Sequence, residues 1–216
     1  VDTEENIPVP AVIEIGQMEE LAAEPAEPAA AESLPAPSAG FASSPDSDQD
    51  GLTDAEELIL GTNPDAADSD GDSYSDLQEL SALYNPAGGG AIIANPNIAK
   101  YSNSLQGYAL YHPAIWSQSA MSGSESVVFQ IGSQQFVQVI ALPAPDSFDF
   151  EEWFKEKLDI PFIKTSQYAS KSGWQALKSE DQLTYYLYKP GSGNIFVLTY
   201  NPGGNILYYP KLFEMM

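Results

Sequence analysis

The strongest constraint on this chain is a repeat of acidic residues. Asp46, Asp48, Asp50, Asp54 and Glu57 recur 22 residues later as Asp68, Asp70, Asp72, Asp76 and Glu79, and the Asn63-Pro64 that trails the first set recurs as Asn85-Pro86. Five carboxylates within twelve residues repel one another, and few apolar side chains lie between them to oppose that repulsion. A run of acids is usually a solvated face. A register kept through five acids and a two-residue punctuation mark is instead a built pattern.

The spacing says what it is built for. Asp46-Ser-Asp48-Gln-Asp50-Gly51-Leu52-Thr-Asp54-Ala-Glu56-Glu57 places carboxylates at positions 1, 3, 5, 9 and 12 of a twelve-residue loop, with glycine at position 6. Calcium is a hard cation that takes six to eight oxygens, and alternate residues of a tight turn can point theirs at one centre. In this EF-hand-like reading Leu52 offers its backbone carbonyl, Asp54 acts directly or through water, and Glu57 closes the site with both oxygens. The second loop supplies Asp68, Asp70, Asp72, the Tyr74 carbonyl, Asp76 and Glu79, but has Ser73 where glycine is preferred. That serine predicts weaker binding, by about 1 kcal/mol if position 6 needs a positive φ. Two Ca2+ sites are expected. Without the ion the module is expected to be largely disordered, so that ligand energy appears as folding energy.

Leu60-Gly61-Thr62-Asn63-Pro64-Asp65 followed by Asp68-Ser69-Asp70-Gly71-Asp72 resembles the bacterial form of thrombospondin type 3 calcium repeats, over residues 46–86. The resemblance implies a tandem calcium-dependent module of secreted or cell-surface proteins, often a spacer. It also implies ligand sharing between neighbours, with Asn63, Asp65 and Asn85 as extra contributors. The alternative is a dockerin, which duplicates a similar loop and helix to dock a cohesin-type partner. Dockerins usually have fuller helices and lack the Gly-Thr-Asn-Pro punctuation.

Charge divides the rest of the chain. Of the 216 residues, the first hundred hold 21 acids against the single Lys100, whereas the remainder hold 10 against seven lysines. The formal charge of -23 argues against a nucleic-acid partner. Aromatics show the complementary split, with 21 of 24 beyond residue 100, so the main core is expected there. Residues 1–45, rich in Pro, Ala and Glu, read as a disordered acidic spacer with one transient helix near Val12–Ala23. Residues 87–100 read as a Gly/Asn-rich link.

Residues 101–216 read as short aromatic strands near 107–112, 126–131, 135–142, 173–179, 183–188 and 195–200, with helices at 148–158 and 210–216. The fold class is α+β: a disordered N-terminal spacer, a small calcium repeat module, and an antiparallel β-sheet domain flanked by helices. Gly107-Tyr-Ala-Leu-Tyr-His-Pro-Ala-Ile-Trp116, the Trp153 helix, Asn194 to Tyr200 and Phe213-Glu-Met-Met216 together resemble a PsbP-like domain. That resemblance implies a binding or accessory domain with a protein or glycan ligand, not a defined reaction.

No catalytic constellation is identifiable. With no cysteine and only His112, thiolate and histidine-rich metal sites are excluded. His112 reads as structural, Trp116, Trp153 and Trp174 as core, and Glu151 and Glu152 as favourable charges at a helix start. A hydrolase in residues 101–216 would need a pocket converging on two acids or on His112. No stretch is long and apolar enough to span a membrane. The first residue, Val1 rather than Met, points to an upstream signal peptide or membrane anchor, and the expected location is extracellular or cell-surface.

Overall fold

The computed structural model describes residues 41–120, 125–145, 173–179 and 181–216, together with Ala11–Val12, Glu19–Glu20, Trp153 and Gln167–Ala169. The expected disorder of residues 1–45 therefore lies mostly outside the described residues. Two of its fragments are strands: β1 (Ala11–Val12) and β2 (Glu19–Glu20). The helix expected near Val12–Ala23 is thus not seen at Val12, Glu19 and Glu20, where pairing to a sheet edge satisfies the backbone instead. The predicted helix at 148–158 is outside the described residues except for Trp153.

From residue 41 the order is β3 (Ala42–Ser43), α1 (Asp54–Leu60), α2 (Asp76–Ser81), a 3-10 turn (Ile92–Ala94), β4 (Ile98–Asn103), β5 (Tyr108–Pro113) and β6 (Ser117–Ala120). There follow β7 (Ser126–Ile131), β8 (Gln135–Pro143), β9 (Gln167–Ala169), β10 (Gln175–Lys178), β11 (Thr184–Tyr188), β12 (Asn194–Asn201), β13 (Ile206–Leu207) and α3 (Pro210–Met215). An antiparallel sheet in the order β2-β9-β10-β11-β12-β8-β7-β6 dominates, beside a sheet β1-β5-β4 and a short parallel pair of β13 with β3. The fold is α+β. The six expected strands are present, and β4 and β6 join them.

Alternation along the strands sets the core. Val127, Phe129 and Ile131 of β7, Val137 and Val139 of β8, and Phe196, Leu198 and Tyr200 of β12 face one side and are buried. Against that face pack Tyr108 and Leu110 of β5 and Leu212, Phe213, Met215 and Met216 at the end of the chain. Ring pairs knit the layers, with Tyr108 on Phe196 at 5.1 Å and Phe213 between Tyr185 at 5.4 Å and Tyr200 at 5.7 Å. Trp116 and Trp174 belong to this core, and His112 is buried with Nδ1 against Pro113 O at 2.9 Å and its ring 4.6 Å from Phe129.

Leu52, Leu60, Leu80 and Ile92 belong to the same apolar cluster as the sheet residues. The acidic repeats are therefore not a body apart, and residues 87–100 are not a free link. Asn95, 1% exposed, donates from Nδ2 to Leu60 O at 2.8 Å and to Asn85 Oδ1 at 2.9 Å, tying the ends of both repeats to the strand that begins at Ile98. Composition hid this because glycine and asparagine read as linker, whereas here the asparagines serve buried backbone. Asn95→Ala leaves a buried carbonyl and a buried amide oxygen short of a donor, so a loss of about 1–3 kcal/mol is expected in urea denaturation with calcium saturating.

Candidate metal centre

Each acidic loop is wound by its own side chains. Asp46 accepts from Gln49 N at 2.8 Å and Gly51 N at 3.1 Å, Asp48 from Asp50 N at 3.1 Å, and Asp50 from Leu52 N at 2.7 Å. Twenty-two residues on, Asp68 accepts from Gly71 N at 2.8 Å and Ser73 N at 2.9 Å, Asp70 from Asp72 N at 3.1 Å, and Asp72 from Tyr74 N at 3.0 Å. Asp54 and Asp76 each receive both the amide and the hydroxyl of the loop's second residue, Ser47 and Ser69. The sequence repeat is thus a repeat of hydrogen bonds. Asp46 and Asp68 use both carboxylate oxygens to hold their turns, whereas Asp48, Asp70 and Asp72 each use one, and in each loop one oxygen apiece from Asp46, Asp48 and Asp50, or Asp68, Asp70 and Asp72, lies within 4.8 Å of the others.

The loops lead into α1 and α2, which begin on capping boxes: Thr53 with Glu56, and Ser75 with Gln78. These caps set the first turn of each helix, where the position-12 glutamates stand. Glu57 is fully buried and neither of its carboxylate oxygens has a hydrogen-bond partner, while Asp48 Oδ2 and Glu79 Oε2 are likewise buried and unpartnered. Burial, followed by the charges of Asp48, Asp50, Asp76 and Asp54, pushes Glu57 up to about 8. Glu79 rises to about 7 through burial, then Asp70, Asp72, Asp76 and Asp68. Burial also raises Asp48 and Asp76. Unpartnered carboxylate oxygens beside a cluster of further carboxylates fit a hard cation.

The two loops interlock. Asp50 Oδ2 accepts from Leu77 N at 3.0 Å, and a Cβ on Gly51 would lie 2.7 Å from Leu77 Cδ2. The charge of Asp76 adds to the forces that raise Asp48 and Glu57, and Asp50 adds to those that raise Asp76. The suggested extra contributors are placed differently. Asn85 spends its Oδ1 on Asn95 and on Ala87 N, so it is a structural residue, whereas Asn63 Oδ1 caps Asp65 N in an exposed turn. Leu52, fully buried, anchors loop 1 in the core, while Tyr74 at the same place in loop 2 is exposed.

Ser73 adopts a φ of 84°, the left-handed backbone foreseen for position 6. Position 4 is left-handed as well, at Gln49 with φ 65° and at Gly71 with φ 80°. Each loop therefore carries one glycine and one side-chain-bearing residue in that region, and the expectation that Ser73 alone weakens loop 2 loses its basis. The pattern missed this because the calcium-loop template flags glycine only at position 6. Ser73→Gly and Gln49→Gly are expected to shift the calcium affinity of their own loops in the same direction and by a similar amount, under about 1 kcal/mol, when each loop is titrated with the other silenced.

Comparison with known proteins agrees with the first of these loops. Residues 46–64 match the family model of the bacterial TSP3 repeat; residues 68–86 lie beyond the matched segment. No curated protein matches the chain. Among solved structures, the C-terminal part is similar to the solution structure of cyanobacterial PsbP (CyanoP) from Synechocystis sp. PCC 6803. The identity is 16%, over 54% of this chain and 86% of that one, with a TM-score of 0.33.

Proposed function

We propose that this is a non-catalytic, exported calcium-binding protein, in which two structural Ca2+ ions hold the tandem acidic loops in place and a sheet domain is presented to a protein or glycan ligand outside the cell. The observation that carries the reading is Glu57, fully buried with two unpartnered oxygens at the closing position of an acid-lined loop. Asp46, Asp48, Asp50, Asp54, Glu57 and the Leu52 carbonyl would hold one ion. Asp68, Asp70, Asp72, Asp76, Glu79 and the Tyr74 carbonyl would hold the other. Sites of roughly 0.1–1 mM affinity suffice where calcium is plentiful outside cells. Among the described residues no helix is long and apolar enough to cross a membrane. A calcium-dependent repeat suits secretion or surface attachment through an upstream anchor.

A second reading, docking through residues 46–86 onto a cohesin-type partner, draws on α1. Leu58 there is 72% exposed and faces, across a cavity of about 330 Å³ shared with Ile59 and Tyr209, an Ile115 that is 81% exposed. Pull-down of a cohesin domain in calcium, abolished by chelator, would select it.

Calorimetric titration of the whole chain is expected to show two calcium-binding events, and Asp50→Ala with Asp72→Ala to remove both. Unchanged heats would reject the assignment. Each filled site adds about 2.7 kcal/mol of stability at a hundredfold excess over Kd.

pH separates the two states of the loops. Glu56, Glu57 and Glu79 have folded values of about 7, 8 and 7, each raised by burial above the ordinary carboxylate range. A raised carboxylate adds stability below its unfolded value of about 4.5 and loses it as pH climbs through its folded value. In chelator the melting temperature is therefore expected to fall between about pH 5 and pH 8. Calcium must displace protons from Glu57 and Glu79, so its affinity is expected to rise over the same interval. Melting curves with and without calcium at several pH values would check both trends.

A further inference from the structure

Loop 1 and loop 2 differ at position 11. In loop 2 that residue is Gln78, whose single side-chain oxygen accepts from Ser75 N at 3.1 Å and completes the capping box at an exposed surface. In loop 1 it is Glu56, fully buried, and it has a second oxygen to place. Glu56 Oε2 accepts from Thr53 N at 3.0 Å, with the Thr53 hydroxyl 3.2 Å away, and so does the work of Gln78. Oε1 turns the other way and accepts the amides of Lys211 and Leu212, the latter at 2.8 Å. Those are the first free amides of α3, whose own N-cap, Tyr209, supplies no side-chain acceptor. Thr53 Oγ1 donates to Tyr208 O at 2.6 Å, adding a second tie to the same segment. Just before loop 1, β3 pairs with β13, with Ala42 N on Asn205 O at 2.9 Å and Ser44 N on Leu207 O at 3.0 Å.

We infer that Thr53 and Glu56 are positioning residues through which calcium in loop 1 and the seating of residues 205–212 on the sheet domain control one another. Glu56 directly precedes Glu57 on the first turn of α1, so the amides that fix Glu56 also fix the residue that closes the cation site. Calcium drawing Glu57 inward orders that turn and holds out Glu56 and Thr53 as a preformed cap for α3. Coupling of this kind is reciprocal: whatever the segment adds to calcium affinity, calcium returns to the segment. Loop 2 lacks the connection, because Ser75 and Gln78 serve only their own helix.

The inference rests on the calcium reading, and the test separates the two. In the full chain carrying Asp72→Ala to silence loop 2, calcium is titrated by calorimetry at pH 8 while amide hydrogen exchange is followed by mass spectrometry. Exchange across residues 205–212 is expected to slow with the midpoint of the calorimetric titration, and by more than in β8 and β12. Adding Glu56→Gln gives loop 1 the cap of loop 2, turning an amide donor toward the Lys211 and Leu212 N–H groups. It is expected to weaken calcium binding roughly tenfold, within the usual range for coupled sites, and to remove the selective slowing. Thr53→Ser should preserve both, and Thr53→Val should diminish both. Absence of calcium heat would overturn the calcium reading and this inference with it. Calcium heat with exchange at 205–212 unchanged, or changed no more than in β8 and β12, would overturn only the inference. That comparison needs no variant at position 56 to fold. Calcium affinity unaltered by a folded Glu56→Gln would also overturn it.

Discussion

Confined negative charge is the condition to which the rest of this structure answers. Glu57 is sealed from water between Asp48, Asp50, Asp54 and Asp76, and neither of its oxygens has a donor. A carboxylate in that position is stable only protonated or bound to a cation. The turns around it are arranged for the second outcome. Backbone amides hold Asp46, Asp48 and Asp50 so that one oxygen of each lies within 4.8 Å of the others, and Asp48 Oδ2 is left without a donor. These hydrogen bonds fix the turns, and the cost they leave to be met is the mutual repulsion of the carboxylates.

That frame is braced from outside the repeats. Leu52, Leu60 and Leu80 enter the same core as Phe129, Phe196 and Phe213, and Asn95 joins the ends of both repeats to the chain entering β4. A small acidic module has little apolar surface with which to stabilise itself. Here it borrows the core of the neighbouring sheet.

Much of this was legible in the residues. Acids at positions 1, 3, 5, 9 and 12 located both loops, and short aromatic runs broken by turn residues located β7, β8, β11 and β12, because each pattern reports a local geometry that the backbone enforces. What escaped was carried by contacts distant in sequence. Nothing near Glu56 distinguishes it from an ordinary capping residue, since its other partners stand at Lys211 and Leu212. Asn85 looked like a ligand and serves as a buried acceptor, a role set by Asn95 ten residues away. Strand β4 was concealed inside a composition typical of linkers, although Ile98 is buried at its start.

The pairing of β3 with β13 has a consequence for how such a chain matures. Residues 42 and 43 pair with residues 206 and 207 in parallel register, so a contact made near the beginning of the described fold awaits one of its later segments. Closures over so long a stretch are slow, and they come after local turns have formed. During synthesis the acidic turns would emerge well before the segment that braces them. The polypeptide would thus remain slack around the acidic turns until residues 206 and 207 were free to pair.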